Sequence, residues 1–209
     1  MATSGVSWPR LQQIVLPYPV TFLIKRPPAP GQPTWVFGYG SLIYKVDFPY
    51  LQREVGSISG WQRRFWQGSH DHRGTPEAPG RVVTLLPAKN RICRGVAYLV
   101  EPRVFKHLDH REKNGYSRVP CSIKLDRQGE EVTGVVYVAN EDNEAYMGPM
   151  PIADLAAHIN TSRGPSGSNR EYLLQLAESL RGLGEEDPHV EELAALLTQQ
   201  HPVEQLAPE

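Results

Sequence analysis

Six strand-like segments fill most of the first two thirds of the folded sequence, a single helical pattern interrupts them, and three helical patterns follow as a block. That order does not suit an alternating βαβ fold and makes α+β the expected class. The strand segments are Thr34 to Tyr39, Gly60 to Gln67, Arg81 to Leu86, Arg94 to Val100, Ser117 to Leu125 and Glu131 to Ala139. They are rich in apolar and β-branched residues, with turn residues between them. The break at Gln128-Gly129 joins the last two as a hairpin. Helices are expected over Pro102 to Glu112, over Pro151 to Asn160, from the capping box Ser168-Asn169-Arg170-Glu171 to Gly182, and from Asp187-Pro188 onward. Seven prolines in residues 1–33 predict an extended or disordered leader. The folded domain is expected over residues 34–200, with a loose tail over 201–209.

Charge and cysteine usage narrow the partners. With 22 basic and 23 acidic side chains the net charge is −1, so nothing draws the chain to nucleic acid or an anionic membrane. The apolar run Ile14 to Ile24 is cut by Pro17 and Pro19, is too short to cross a bilayer, and lacks a signal-peptide cleavage pattern. Cys93 and Cys121 lie in strand-like sequence with no CxxC spacing and no adjacent base. They read as small core residues of a reducing compartment, and a cytoplasmic location is expected.

Glu112 is the most informative residue. At about 100° per residue from Val104, Leu108 falls near 40°, Phe105 near 100° and Glu112 near 80°, inside the apolar arc. A carboxylate there either faces a cavity or, at the helix end, turns out to solvent or pairs with Arg81, Arg118 or Lys113. Its place in the last turn, at the negative end of the helix dipole, raises its pKa toward the range of a general base. Asp109, at the edge of the arc, is a weaker second carboxylate. The segment Val36-Phe37-Gly38-Tyr39-Gly40-Ser41-Leu42 reads as a strand entering a sharp turn, whose amides either hold an anionic oxygen or simply make a tight bend. It is neither a dinucleotide fingerprint nor a P-loop. His70 and His72 have a metal-compatible spacing but lie in a loop-like stretch with no third ligand nearby. Arg73 and Arg81 could grip a carboxylate or anchor a loop by a salt bridge.

These segments together resemble the ChaC family of γ-glutamylcyclotransferases. The resemblance is carried by residues 36–42, Arg64-Phe65-Trp66-Gln67-Gly68, Arg73-Gly74, Pro79-Gly80-Arg81-Val82-Val83-Thr84-Leu85, Gly95-Val96-Ala97-Tyr98, residues 108–116, Tyr146-Met147-Gly148-Pro149 and residues 166–173. It covers Trp35 to Arg181 and looks nearest to the vertebrate glutathione-specific type. The leader and the final 25 or so residues depart from it. The resemblance implies a small closed β-barrel with flanking helices and cleavage of glutathione to 5-oxoproline and cysteinylglycine, without metal or organic cofactor. It maps the glutamyl-binding turn onto Phe37, Gly38, Tyr39, Gly40, Ser41 and Leu42 and the catalytic acid onto Glu112. Arg73, Arg81, Tyr146 and Tyr172 are further candidate substrate contacts. Two alternatives stay open: a cyclotransferase for other γ-glutamyl amino acids or amines, and a non-catalytic module whose Pro-rich leader docks a protein partner.

Overall fold

The computed structural model describes residues 31–127 and 129–200. The expected leader up to residue 30 and the tail over 201–209 lie outside the described residues.

Five strands close a mixed barrel, as the α+β expectation and the resemblance required. They are β1 (Thr34–Gly38), β2 (Gln52–Ser69), β3 (Gly80–Val100), β4 (Tyr116–Leu125) and β5 (Glu131–Ala139), hydrogen-bonded in the order β1-β3-β2-β4-β5. Every pairing is antiparallel except the closing one, where β1 runs parallel to β5 with Trp35 opposite Gly134 and Phe37 opposite Val136. Val36 and Phe37 point to opposite faces of β1, and both are buried. The strand is therefore covered on both sides, which its unbroken apolar run allows.

Helix α1 (Phe105–Arg111) follows a 3-10 turn over Pro102–Val104. Helices α2 (Ile152–Thr161), α3 (Asn169–Gly182) and α4 (Pro188–Gln200) pack on one another and on the barrel. Their apolar stripes are buried, as periodicity predicts: Leu155, Ala156 and Ile159; Tyr172, Leu173, Leu176 and Leu180; Val190, Leu193 and Leu197. Ser168 caps α3, its hydroxyl accepting from the Glu171 amide at 3.1 Å. A short ribbon of β6 (Arg163–Gly164) and β7 (Gly167–Ser168) leads into α3.

Two strand expectations need correction. Arg81 to Leu86 and Arg94 to Val100 belong to one strand, β3. Its ladder with β2 jumps from Trp61–Pro87 to Ser59–Ile92, so residues 88–91 bulge out, with Asn90 at φ 62°. Asparagine tolerates that conformation, and Pro87 sits where the ladder is already interrupted. Strand β2 begins eight residues before Gly60, because a first half with only Val55 and Ile58 as apolar side chains does not read as a strand by apolar alternation.

Candidate active site

Strand β1 ends at Gly38 and the chain turns through Tyr39 and Gly40 into a 3-10 turn over Ser41–Ile43. Among the described residues, the amides of Gly40, Ser41 and Leu42 have no acceptor, because they precede the first bond of that turn, Ile43 N–H to the Gly40 carbonyl at 3.0 Å. Gly40 has no room for a side chain: a Cβ would lie 2.9 Å from Val83 Cγ2 and 3.2 Å from the Tyr172 hydroxyl. The Tyr98 hydroxyl holds the Leu42 carbonyl at 2.7 Å.

Glu112 caps the C-terminus of α1 and faces this turn. Its side chain is 18% exposed and pairs with Arg111, whose Nε lies 3.4 Å from Oε1. Burial raises the Glu112 pKa above its ordinary value, and Arg111 offsets this only in part. None of the three partners considered from sequence is the one found. Arg111, off the apolar arc, uses its long stem to reach back: Nη2 donates to Ser41 Oγ at 2.8 Å and Nη1 to Asp47 Oδ1 at 2.6 Å. Desolvation alone would lift the Asp47 carboxyl, but Arg111 and His107 together hold it below its usual value.

Two cavities meet at Ser41, Glu112, Tyr116 and Tyr172. The inner recess, of about 60 Å³, is lined by the whole turn from Phe37 to Leu42 together with Val83, Tyr116 and Tyr137. The outer one, of about 170 Å³, adds Lys45, Asp47, Asp71, His72, Arg73, Arg111 and Ser166. Burial raises the pKa values of Tyr39, Tyr116, Tyr137 and Tyr172, so these phenols are neutral at physiological pH. Three are fixed by their hydroxyls: Tyr39 to the Tyr137 carbonyl, Tyr116 to the Val83 carbonyl, and Tyr137 to Asp109 Oδ1 at 2.6 Å.

The remaining candidates separate. Tyr172 lines both cavities, and Arg73 lines the outer one while bonding the Ser168 carbonyl and lying 3.5 Å from Glu171. Arg73 thus fits both readings offered for it. Arg81 is fully buried, bonds the Gly148 carbonyl at 2.7 Å and lines neither cavity; its backbone is gripped on both sides by the Asn169 amide. It is locked into the scaffold, contrary to a role in gripping substrate. Tyr146 also lies outside both cavities, in a backbone bridge with Gln67. Asp109 lines neither cavity, and it braces Tyr137 and Arg118. His72 approaches Ser166 Oγ at 3.0 Å, and among the described residues no three acidic, His or Cys side chains group to hold a metal. Cys93 and Cys121 are free and buried, and desolvation pushes their thiols up to about 11 and about 12. Arg111, Val83, Tyr116 and Tyr137 were not singled out as site residues from the sequence. Only strand pairing brings the last three together.

A closed five-stranded barrel presenting one half-buried carboxylate to a turn of free amides defines the γ-glutamylcyclotransferase-like fold class, and comparison with known proteins agrees. A family model described as ChaC-like protein matches residues 34–200. The chain belongs to the ChaC-like family. Among its relatives are γ-glutamylcyclotransferase 2-3 of Arabidopsis thaliana, 46% identical over 77% of this chain and 86% of that protein, and glutathione-specific γ-glutamylcyclotransferase 1 of Mus musculus, 41% identical over 77% and 76%. A crystal structure of the glutathione-specific γ-glutamyl cyclotransferase from yeast superposes with a TM-score of 0.75 at 31% identity, covering 80% of this chain and 96% of that one. Two expectations are corrected. The family match runs past Arg181 to residue 200, through α4, and the plant relative is more similar than the mouse one.

Proposed function

We propose that the chain cleaves glutathione to 5-oxoproline and cysteinylglycine, with Glu112 as general base and then general acid. The observation that carries this reading is the Glu112 carboxyl at the junction of the two cavities, opposite the unsatisfied amides of residues 40–42. In this reading the inner recess takes the folded γ-glutamyl arm between Phe37, Gly38, Tyr39, Gly40, Ser41, Leu42 and Tyr172. The outer cavity, with Arg73 in its wall, takes the leaving dipeptide.

The α-nitrogen of the substrate is an ammonium near neutral pH and must lose a proton to become nucleophilic. A desolvated carboxylate with a raised pKa is suited to accept it. The nitrogen lone pair then attacks the γ-carbonyl carbon, closing the five-membered lactam, while the carbonyl oxygen gains negative charge that free amides can meet. As the tetrahedral centre collapses, the bond from the γ-carbon to the cysteinyl nitrogen breaks. The proton held by Glu112 passes to that leaving nitrogen. The regenerated carboxylate then takes the second proton from the ring nitrogen, leaving a neutral lactam, and hands it to the departing amine, which leaves as its ammonium. Attack is intramolecular, so no enzyme nucleophile is needed, and the inertness of both cysteines is consistent with this. The relatives' names support glutathione as substrate, and the plant relative's name leaves the γ-glutamyl donor unspecified.

Incubation of the purified protein with glutathione, γ-glutamyl amino acids and γ-glutamylamines, followed by mass spectrometry, tests this assignment. 5-Oxoproline is expected from glutathione at least ~10-fold faster than from the others, a ratio worth about 1.4 kcal/mol of transition-state binding. Equal rates would remove the glutathione assignment, and no product from any of them would remove the reaction.

A further inference from the structure

Arg63 is an interior charge to which the mechanism above gives no task. It lies on β2 with its side chain wholly shielded from solvent. It makes three diverging bonds: Nε donates to the Tyr39 carbonyl at 2.7 Å, Nη1 to Asp187 Oδ2 at 3.2 Å, and Nη2 to the Arg94 carbonyl. Burying an ion pair is costly, and well-packed apolar residues commonly replace one with no loss of stability. Packing therefore does not explain a guanidinium here.

Its contact with Tyr39 does. In a trans peptide the carbonyl and the following N–H lie in one plane and point in opposite directions. The described chain contains no cis peptide, so drawing the Tyr39 carbonyl toward Arg63 aims the Gly40 N–H away from it. Gly40 lines the inner recess, and its amide is one of those with no acceptor among the described residues. Asp187 is itself anchored: its Oδ1 accepts from the His189 and Val190 amides, at 3.1 and 3.3 Å, at the start of α4.

We propose that Arg63, balanced by Asp187, is a positioning residue that fixes the Tyr39–Gly40 peptide plane so that the Gly40 N–H meets the anionic oxygen of a bound substrate. The identity of that oxygen rests on the cyclotransferase reading; the orientation of the plane does not. A lysine would retain the charge but could not offer three fixed, diverging donors.

Two variants test this, R63K and the uncharged pair R63M/D187N, in which asparagine can still cap α4. Melting temperature, kcat/KM for 5-oxoproline release from glutathione, and the ¹H–¹⁵N resonance of Gly40 are measured on each. The double variant is expected to melt within about 5 °C of the wild type. Both variants should lose at least ~10-fold in kcat/KM, in keeping with a misaligned oxyanion donor, and the Gly40 resonance should move. Activity returning together with stability in R63M/D187N, or an unmoved Gly40 resonance in either folded variant, would overturn the proposal. If wild-type protein releases no 5-oxoproline, the cyclotransferase reading fails, and the Gly40 resonance still decides the positioning role.

Discussion

At the scale of single residues, the site depends on a carboxylate held in an unfavourable environment. Burial raises the folded-state pKa of Glu112 above the ordinary 4.5, so below that value both states are protonated and the residue costs nothing. As pH rises past 4.5 the unfolded chain ionises first, so the folded state loses stability progressively and carries the full penalty once pH exceeds the folded pKa. Glu112→Gln is thus expected to melt at or above the wild-type temperature at pH 7 while turnover falls ~100-fold or more. A clear drop in melting temperature would contradict this account. The same raised pKa places the acid limb of the kcat/KM profile above pH 4.5, which a pH-rate series on glutathione checks. Gly40→Ala would push a methyl against Val83 and the Tyr172 hydroxyl at the floor of the recess. We expect a stability loss of about 1–3 kcal/mol and at least ~10-fold lower kcat/KM, measured by urea unfolding and 5-oxoproline release.

At the scale of elements, helical period puts Glu112 on the face of Leu108, four residues earlier and fully buried. It missed Arg111, since a direction about 100° away says nothing of how far an arginine stem can bend back. Tyr116, Tyr137 and Val83 each sit in a strand that reads as ordinary β sequence, and their convergence depends on pairings that local sequence does not encode. Helix α4 shows a further effect of packing. The His189 Nε2 accepts the Phe65 amide at 3.1 Å, and desolvation lowers its pKa from 6.5 to about 4. A histidine held neutral contributes fully above its unfolded pKa, and that contribution is lost as pH falls from 6.5 toward 4, at most about 3 kcal/mol. Urea unfolding at pH 7 and pH 4.5 should show a larger loss for the wild type than for His189→Gln. Equal losses would place that titration elsewhere.

At the scale of the whole molecule, the barrel closes where the shortest of its five strands lies between β3 and β5. The fold class was legible because the order of strands and helices leaves few layer arrangements, whereas the parallel β1–β5 closure joins residues about 100 positions apart and leaves no local signature. Gly134 marks the seam: a Cβ there would stand 2.6 Å from both the Trp35 carbonyl and the Ile123 side chain. Gly134→Val is expected to cost about 3 kcal/mol and to lower activity at a distance, which calorimetry and turnover measured on one preparation would show together. Strand β1 feeds directly into the amide turn, so a chain with an open seam has the right residues but not their geometry. Enzymatic output is therefore a count of sealed molecules. During gradual heating it should fade in step with the loss of pairing between β1 and β5, leaving no partly assembled species that still turns over substrate.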